Sequence, residues 1–379
     1  NAYSSGRGAK YKDYDYGRPG DFQGFEANVK RRLAEMMTYY DDIRKVQDLH
    51  LPWEILTDIN ILIVGASGLI GRALVDTLMQ LPDKTFHLYA GVRDLVYAQS
   101  CFMRYKDDES FTLIQCDVTA LIPFDIDFHY IIHAASYAGP AAFHNDPVGV
   151  MKANILGVDN LFSYGEQHNL RRLLYVSSGE VYGEGNGIPF REEDSGSLDW
   201  ASLRACYPAA KRTAETLCIA YAAQFQIETV IARPCHIYGP FYTSKDDRAY
   251  AQFIRNVLAG ENIILRSSGL QQRSWCYVVD CVFALLYVLL KGKTKNAYNI
   301  ADVRSNVSIR EFAEMIALKS EREVIFDLPD NTGKNKPIIS QAIFNTEKIN
   351  KIGWFPQWKL EEGVSHTLNT LISVDGTYI

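Results

Sequence analysis

The apolar pattern of the chain changes near residue 240. Before that point, short apolar runs alternate with helical stretches. Ile59–Val64 is apolar except for Asn60, which is what a strand buried on both faces of a parallel sheet requires. Phe86–Ala90, Phe111–Cys116, Tyr130–Ala135, Leu173–Val176 and Ile227–Ala232 read as further strands, with helical stretches between most of them. The alternation predicts a doubly wound α/β fold with its ligand at the carboxyl ends of the strands. Beyond Gly239-Pro240, shorter elements with helices at Ala249–Leu258, Val278–Leu290 and Ile309–Leu318 predict a smaller C-terminal α/β lid, parts of which return to the sheet. Residues 1 to about 24 are rich in Gly, Tyr, Ser and charge with little to bury, which predicts a mobile tail or a segment lying on a partner. Phe25–Leu49 carries a mixed apolar pattern that fits a helix or two, and Pro52-Trp53 marks the entry to the main domain.

Where the first strand turns into a helix, the chain reads Gly65-Ala66-Ser67-Gly68-Leu69-Ile70-Gly71. The first glycine allows the tight turn, the second lets backbone approach a pyrophosphate, and the third permits close helix packing. The spacing is Gly-x-x-Gly-x-x-Gly, and its setting between strand and helix predicts a Rossmann-type dinucleotide crevice. Its expected contacts are this loop, Arg93, Asp117-Val118 and Ala134-Ala135, each at a strand end. Asp117 is placed to meet an adenine amino group. After the second strand no acidic residue stands at Ala90 or Gly91. Arg93 suits a ribose 2′-phosphate and Asp94 a 2′-hydroxyl, so NAD is expected and NADP stays open. The expected division is an N-terminal extension (1–55), an NAD(P)-binding domain (56–240) and a mainly substrate-binding part (241–379).

The candidate chemistry lies between Arg171 and Arg212. The strand Leu173–Val176 delivers Ser177-Ser178-Gly179-Glu180, and a later helix carries Tyr207 and Lys211 four residues apart, on one face. A phenol titrates near ~10, and lowering that by ~3 units needs roughly 4 kcal/mol. Lys211 is the group expected to supply much of it. The spacing alone is weak, since a second pair, Tyr287/Lys291, closes an apolar helix and reads as core packing with a solvated lysine. The upstream hydroxyl and the glycine loop single out the first pair. His133, at an apolar strand end, is expected to be a hydrogen-bonded structural residue beside the cofactor.

Composition narrows this little further. At 379 residues and 47% hydrophobic content there is ample core. A net charge of −6 without a long basic run argues against nucleic acid, so an anionic ligand needs a local arginine cluster. The seven Cys are scattered, without Cys-x-x-Cys, which reads as reduced thiols in a cytoplasm. No apolar run reaches the roughly 18 residues of a membrane span. His and carboxylates show no metal-ligand spacing.

With these three motifs in this order, the chain from about Ile59 to Leu371 resembles the extended short-chain dehydrogenase/reductases, the nucleotide-sugar epimerases, dehydratases and decarboxylases. The resemblance implies that Ser178 orients the sugar 4-hydroxyl, Tyr207 removes its proton, and Lys211 holds the nicotinamide ribose of a recycled NAD. It also implies a homodimer pairing through Pro147–His168 and Tyr207–Phe225. Within the family, His133–Pro140, Arg204–Tyr207, Asp247-Arg248-Ala249 and Gln272-Arg273 are most similar to the UDP-glucuronate decarboxylases. That implies Glu180 as acid/base near C5, Arg248 and Arg273 on phosphate or sugar, and Ser136, Ser178, Gly179, Glu180 and His236 as substrate contacts. Three positions depart from the pattern: Gly179 replaces a hydroxyl residue, His236 an asparagine, and Ala90/Gly91 an acidic residue. A 4-epimerase or a 4,6-dehydratase would share most of the machinery, although the dehydratase's Asp is missing before Glu180. A non-catalytic NAD(P)-binding sensor or scaffold is the reading of another class, and the intact Ser178, Tyr207 and Lys211 argue against it.

Overall fold

Strand β1 (Asn60–Val64) sits at the middle of the molecule because Ile61 to Val64 are all inaccessible to solvent. The computed structural model describes residues 36–328 and 341–373. The tail at 1–24 and the start of the 25–49 pattern lie outside the described residues. Residues from Thr38 onward form one compact unit.

In chain order this unit runs α1 (Tyr39–Arg44), β1, α2 (Leu69–Leu78), β2 (His87–Val92), α3 (Leu95–Cys101), β3 (Phe111–Gln115) and β4 (Tyr130–His133). It continues through α4 (Pro140–Asn145), α5 (Pro147–Gln167), β5 (Arg172–Val176), α6 (Cys206–Gln224) and β6 (Glu228–Pro234). The second half comprises β7 (His236–Tyr238), α7 (Ala249–Leu258), β8 (Ile263–Leu265), β9 (Gln272–Tyr277), α8 (Val278–Lys291) and β10 (Asn296–Ile300). It closes with β11 (Asn306–Ser308), α9 (Ile309–Lys319), β12 (Val324–Phe326), β13 (Gln341–Ala342), α10 (Glu347–Asn350) and α11 (Leu360–Ser373).

Seven strands make the main sheet, in the order β10-β6-β5-β4-β1-β2-β3, with every neighbouring pair parallel. One apolar layer packs α2 and α8 against one face through Leu74, Val75 and Leu285. The other packs α5 and α6 against the opposite face through Val158, Leu161, Ala214 and Cys218. Between β1 and its two neighbours, β2 and β4, the strand order reverses, and a crevice opens there. All six strands expected from the apolar runs form, although β2 continues to Val92. The seventh, β10, comes from the C-terminal half and pairs with β6. Its run Asn-Ala-Tyr-Asn-Ile is too mixed to stand out by apolar content.

Local signals explain the helices that position the site. Asp146 caps α5 by accepting from Gly149 N at 2.9 Å, and Pro147 occupies the first turn, where no N–H is needed. Helix α8 is apolar all round, which suits only a buried helix; Val278 to Leu290 are all buried. Tyr287 is part of that core and Lys291 is exposed, as expected. Among the described residues no helix is long and apolar enough to cross a membrane.

Two smaller sheets cover one end. β7, β9, β11 and β13 form one, and β8 and β12 the other. The N-terminal segment is also built in: Tyr39, Ile43 and Val46 join the main core. Asp42, fully buried, accepts from Tyr277 Oη at 3.0 Å and lies 2.7 Å from His366 Nδ1. Asp76 accepts from the hydroxyls of Tyr39 and Tyr105 at 3.0 and 2.8 Å.

Candidate active site

The cofactor crevice is made largely of backbone. Gly65 has φ +80°, and a Cβ there would lie 2.6 Å from Ala135 N and Cα. A Cβ on Gly71 would run into the Gly65 carbonyl, so the loop and the start of α2 touch directly. Gly68 differs: its Cβ position meets nothing closer than Gly65 O at 3.4 Å, leaving that backbone open to a ligand. The first N–H groups of α2 lack intrahelical acceptors and carry the positive end of the helix dipole. This cradle fits a pyrophosphate, and therefore a dinucleotide. Ser67, Leu69 and Ile70 belong to the same turn, and Arg93, Asp117, Val118, Ala134 and Ala135 follow the neighbouring strands.

Two of these side chains are engaged elsewhere. Arg93 lies over the Tyr137 ring, 4.6 Å from its centroid, and donates to the Tyr137 hydroxyl. Asp117 accepts from Thr119 N and Oγ1 at 2.9 and 2.8 Å. Asp94 caps α3 by accepting from Tyr97 N. Val118 is buried under α5.

Ile70, Ala134, Ser136, Ser178, Gly179, Glu180, Tyr207, Lys211, His236, Arg248 and Arg273 all meet on one cavity of about 690 Å³. Strand β5 ends at Val176, and Ser178 Oγ then caps a single turn, Gly179–Tyr182, by accepting from Glu180 N at 3.2 Å. This turn aims Glu180 into the cavity. Behind it, Glu215 accepts from Ser177 Oγ at 2.6 Å and from Arg233 Nε and Nη2 at 3.0 and 2.7 Å. That buried ion pair ties β5, β6 and α6 together at the strand ends.

Tyr207 and Lys211 are both buried. Burial, then the charge of Glu180, pushes the phenol up to about 12, while Ser178, Arg248 and Arg204 pull it back. Lys211 donates to Val176 O at 2.8 Å, and Nζ lies 4.7 Å from the Tyr175 ring centroid against 5.7 Å for Tyr207. Burial brings its own pKa down to about 7, with Glu215 acting against that. Besides Lys211, expected to supply much of the phenol's activation, Arg248 and Arg204 are cations that act on Tyr207. His133 is completely buried, and burial followed by the Lys211 charge lowers its pKa to about 3, with a hydrogen bond to the Ala153 backbone acting against that. Its ring points at Gly157 of α5, whose Cβ position is 2.8 Å from Nε2, and not towards the crevice.

Several contributors were missed. Arg204 holds both Glu180 oxygens, at 2.7 and 2.6 Å. Its place three residues before Tyr207 was the available signal. Phe143 of α4 stacks on Tyr207, with centroids 4.8 Å apart. Phe344 reaches in from the C-terminal region so closely that a Cβ on Gly179 would collide with its ring. The absent hydroxyl at Gly179 therefore has a steric cause. Arg248 is clamped by Asp246 Oδ1 and Oδ2 at 2.9 and 2.5 Å. His236 borders the cavity, and enclosure there, then the Arg273 and Arg248 cations, lowers its pKa to about 3.

A dinucleotide cradle beside Ser178 and the buried Tyr207 and Lys211 defines a nucleotide-dependent enzyme of the short-chain dehydrogenase/reductase type. The profile described as the NAD dependent epimerase/dehydratase family matches residues 61–301, and the chain belongs to that family. UDP-glucuronic acid decarboxylase 6 of Arabidopsis thaliana is 33% identical over 319 residues, covering 81% of this chain and 87% of the relative. UDP-glucuronic acid decarboxylase 1 of Xenopus tropicalis is 32% identical over 82% of this chain and 71% of the relative. Among solved structures, UDP-glucuronic acid 4-epimerase of Bacillus cereus superposes with a TM-score of 0.72 at 21% identity, covering 83% of this chain and 99% of that one. The dTDP-glucose 4,6-dehydratase of Bacillus anthracis, solved in complex with NAD, gives 0.70 at 21% identity over 84% and 97%. These two likenesses concern the fold.

Proposed function

We propose that the chain is a UDP-glucuronate decarboxylase working through a transient 4-keto sugar and giving UDP-xylose. The observation that carries it is the single cavity holding the Glu180 carboxylate, the Tyr207 phenol and Ser178 beside Arg204, Arg248 and Arg273. The similarity to decarboxylases over most of the chain supports it. The Gly65–Gly71 cradle would hold NAD, which would supply a reversible hydride acceptor for sugar C4. Tyr207 accepts the C4 hydroxyl proton, and the Ser178 hydroxyl orients that oxygen. Lys211 stands beneath the strand end to hold the ribose. Once the C5 carboxylate leaves as carbon dioxide, its bonding electrons are delocalised onto the 4-keto oxygen, and Glu180 serves the proton that C5 then needs. Arg248 and Arg273 supply the cationic wall for phosphate or sugar.

A 4-epimerase is the second reading. It is favoured only by Gly179, where the hydroxyl expected beside a sugar carboxylate is replaced by the Phe344 ring. Mass spectrometry of the product from UDP-glucuronate separates the chemistries. Loss of carbon dioxide is the expected result; loss of water, or an isomer of unchanged mass, overturns it.

The working form in this proposal is a homodimer paired through α5 and α6. Val150, Leu161 and Phe162 of α5 belong to the intramolecular core. Val148, Met151, Leu156, Ile219 and Phe225 are the exposed apolar residues of that pair and its edge. The cytoplasm fits seven cysteines that are all free.

A further inference from the structure

Glu180 and Tyr207 share one cavity, yet a bare carboxylate beside a phenol opposes the phenol's ionisation. The structure answers this with Arg204. One of its terminal nitrogens takes both Glu180 oxygens. Its guanidinium lies over the Phe143 ring, 4.6 Å from the centroid, and Phe143 in turn lies 4.8 Å from the Tyr207 ring at an interplanar angle of 25°. The guanidinium thus lies over a ring that is itself stacked on Tyr207, and it holds the carboxylate. The other terminal nitrogen of Arg204 is enclosed without a partner among the described residues, although the side chain as a whole keeps 31% of its surface exposed.

We propose that Arg204 is a positioning residue that neutralises Glu180 in place and, through Phe143, fixes the plane of the Tyr207 ring. The inference rests on Tyr207 acting as the base of the proposed reaction. The charged and titratable groups facing that phenol are Glu180 from the turn after β5, Arg204 from the turn before α6, Arg248 from the lead into α7, Tyr175 from β5 and Lys211 from its own helix. Of the groups acting on it, Glu180 opposes ionisation; Arg204 forms an ion pair with Glu180, and Arg273 from β9 also feels its charge.

The test places a ring-fluorinated tyrosine at position 207 of the full chain and follows its titration by fluorine NMR, without substrate. Arg204→Met should move the midpoint up by about one pH unit, about a tenfold loss of phenolate at a given pH. Arg204→Lys, which keeps the charge but not the paired contact, should fall between. Glu180→Gln combined with Arg204→Met should bring the midpoint back to the parent value or below, because the opposing charge is gone. A scaffolding role alone predicts no such rescue. An unchanged midpoint in Arg204→Met, or a double variant that stays raised, overturns the proposal. Should Arg204→Met fail to fold, Arg204→Gln repeats the comparison. Since this titration needs no turnover, a failed decarboxylation assay would sink the functional reading without deciding this one.

Discussion

The cofactor cradle and the cavity beside it, the two ends of the site, are built from different material. The cofactor end is backbone: Gly65, Gly68 and Gly71 shape it by what they lack, within seven consecutive residues. The substrate end is side chains brought from six places, with Glu180, Arg204, Phe143, Arg248, Arg273 and Phe344 each on a different stretch. A backbone site is specified where it lies, by conformation and by close approach. A side-chain site is specified only once the chain has folded. The first end can be kept while the second is altered, and that asymmetry is open to measurement.

Tyr207→Phe should have the largest effect and should fall on one end alone. Loss of a general base costs about 10²–10⁴-fold in turnover, about 3–5 kcal/mol of barrier. The rise in melting temperature on adding NAD should persist, because the glycine cradle is untouched. A variant that lost both would show that the two ends are not separable.

Gly71→Ala is the converse and should come next. The added Cβ meets Gly65 O and Ala66 Cα, and relief must move the loop that receives the pyrophosphate. A loss of about 2 kcal/mol, roughly thirtyfold in NAD affinity by calorimetry, is expected from such overpacking. Unchanged affinity would mean that the loop can yield without cost.

Gly179→Ser should have the smallest effect and sharpens the comparison at the substrate end. It restores the family's hydroxyl but drives a Cβ into Phe344, which should cost about 1–3 kcal/mol of stability in chemical denaturation. Gly179→Ser with Phe344→Leu should recover most of it. If the single variant is as stable as the parent, the Phe344 ring is not what excludes a side chain there.

The same asymmetry governs what could be read before folding. The glycine loop, the strands of the sheet up to β6, and the Ser178/Tyr207/Lys211 set were legible because each is a local pattern. Strand β10 was not, since its mixed residues pair only after the chain has crossed the sheet. Nor was the pairing of Glu180 with Arg204, or the Phe344 ring beneath Gly179, because nothing local says which distant side chain arrives. The packing partner of His133 was not legible for a related reason. Strand alternation gives two faces, and only packing told which one faced α5.

The buried bond from Tyr39 N to Thr370 Oγ1, 2.8 Å long, ties α1 to α11. Among the described residues the first helix and the last thus lie side by side, and the ends of the described unit are neighbours. Joining such neighbouring ends costs little conformational entropy, because closure grows only with the logarithm of linker length. The seam at α1 and α11 is thus a natural place to splice the chain, and exposed loops elsewhere could then serve as new termini in a circular permutant.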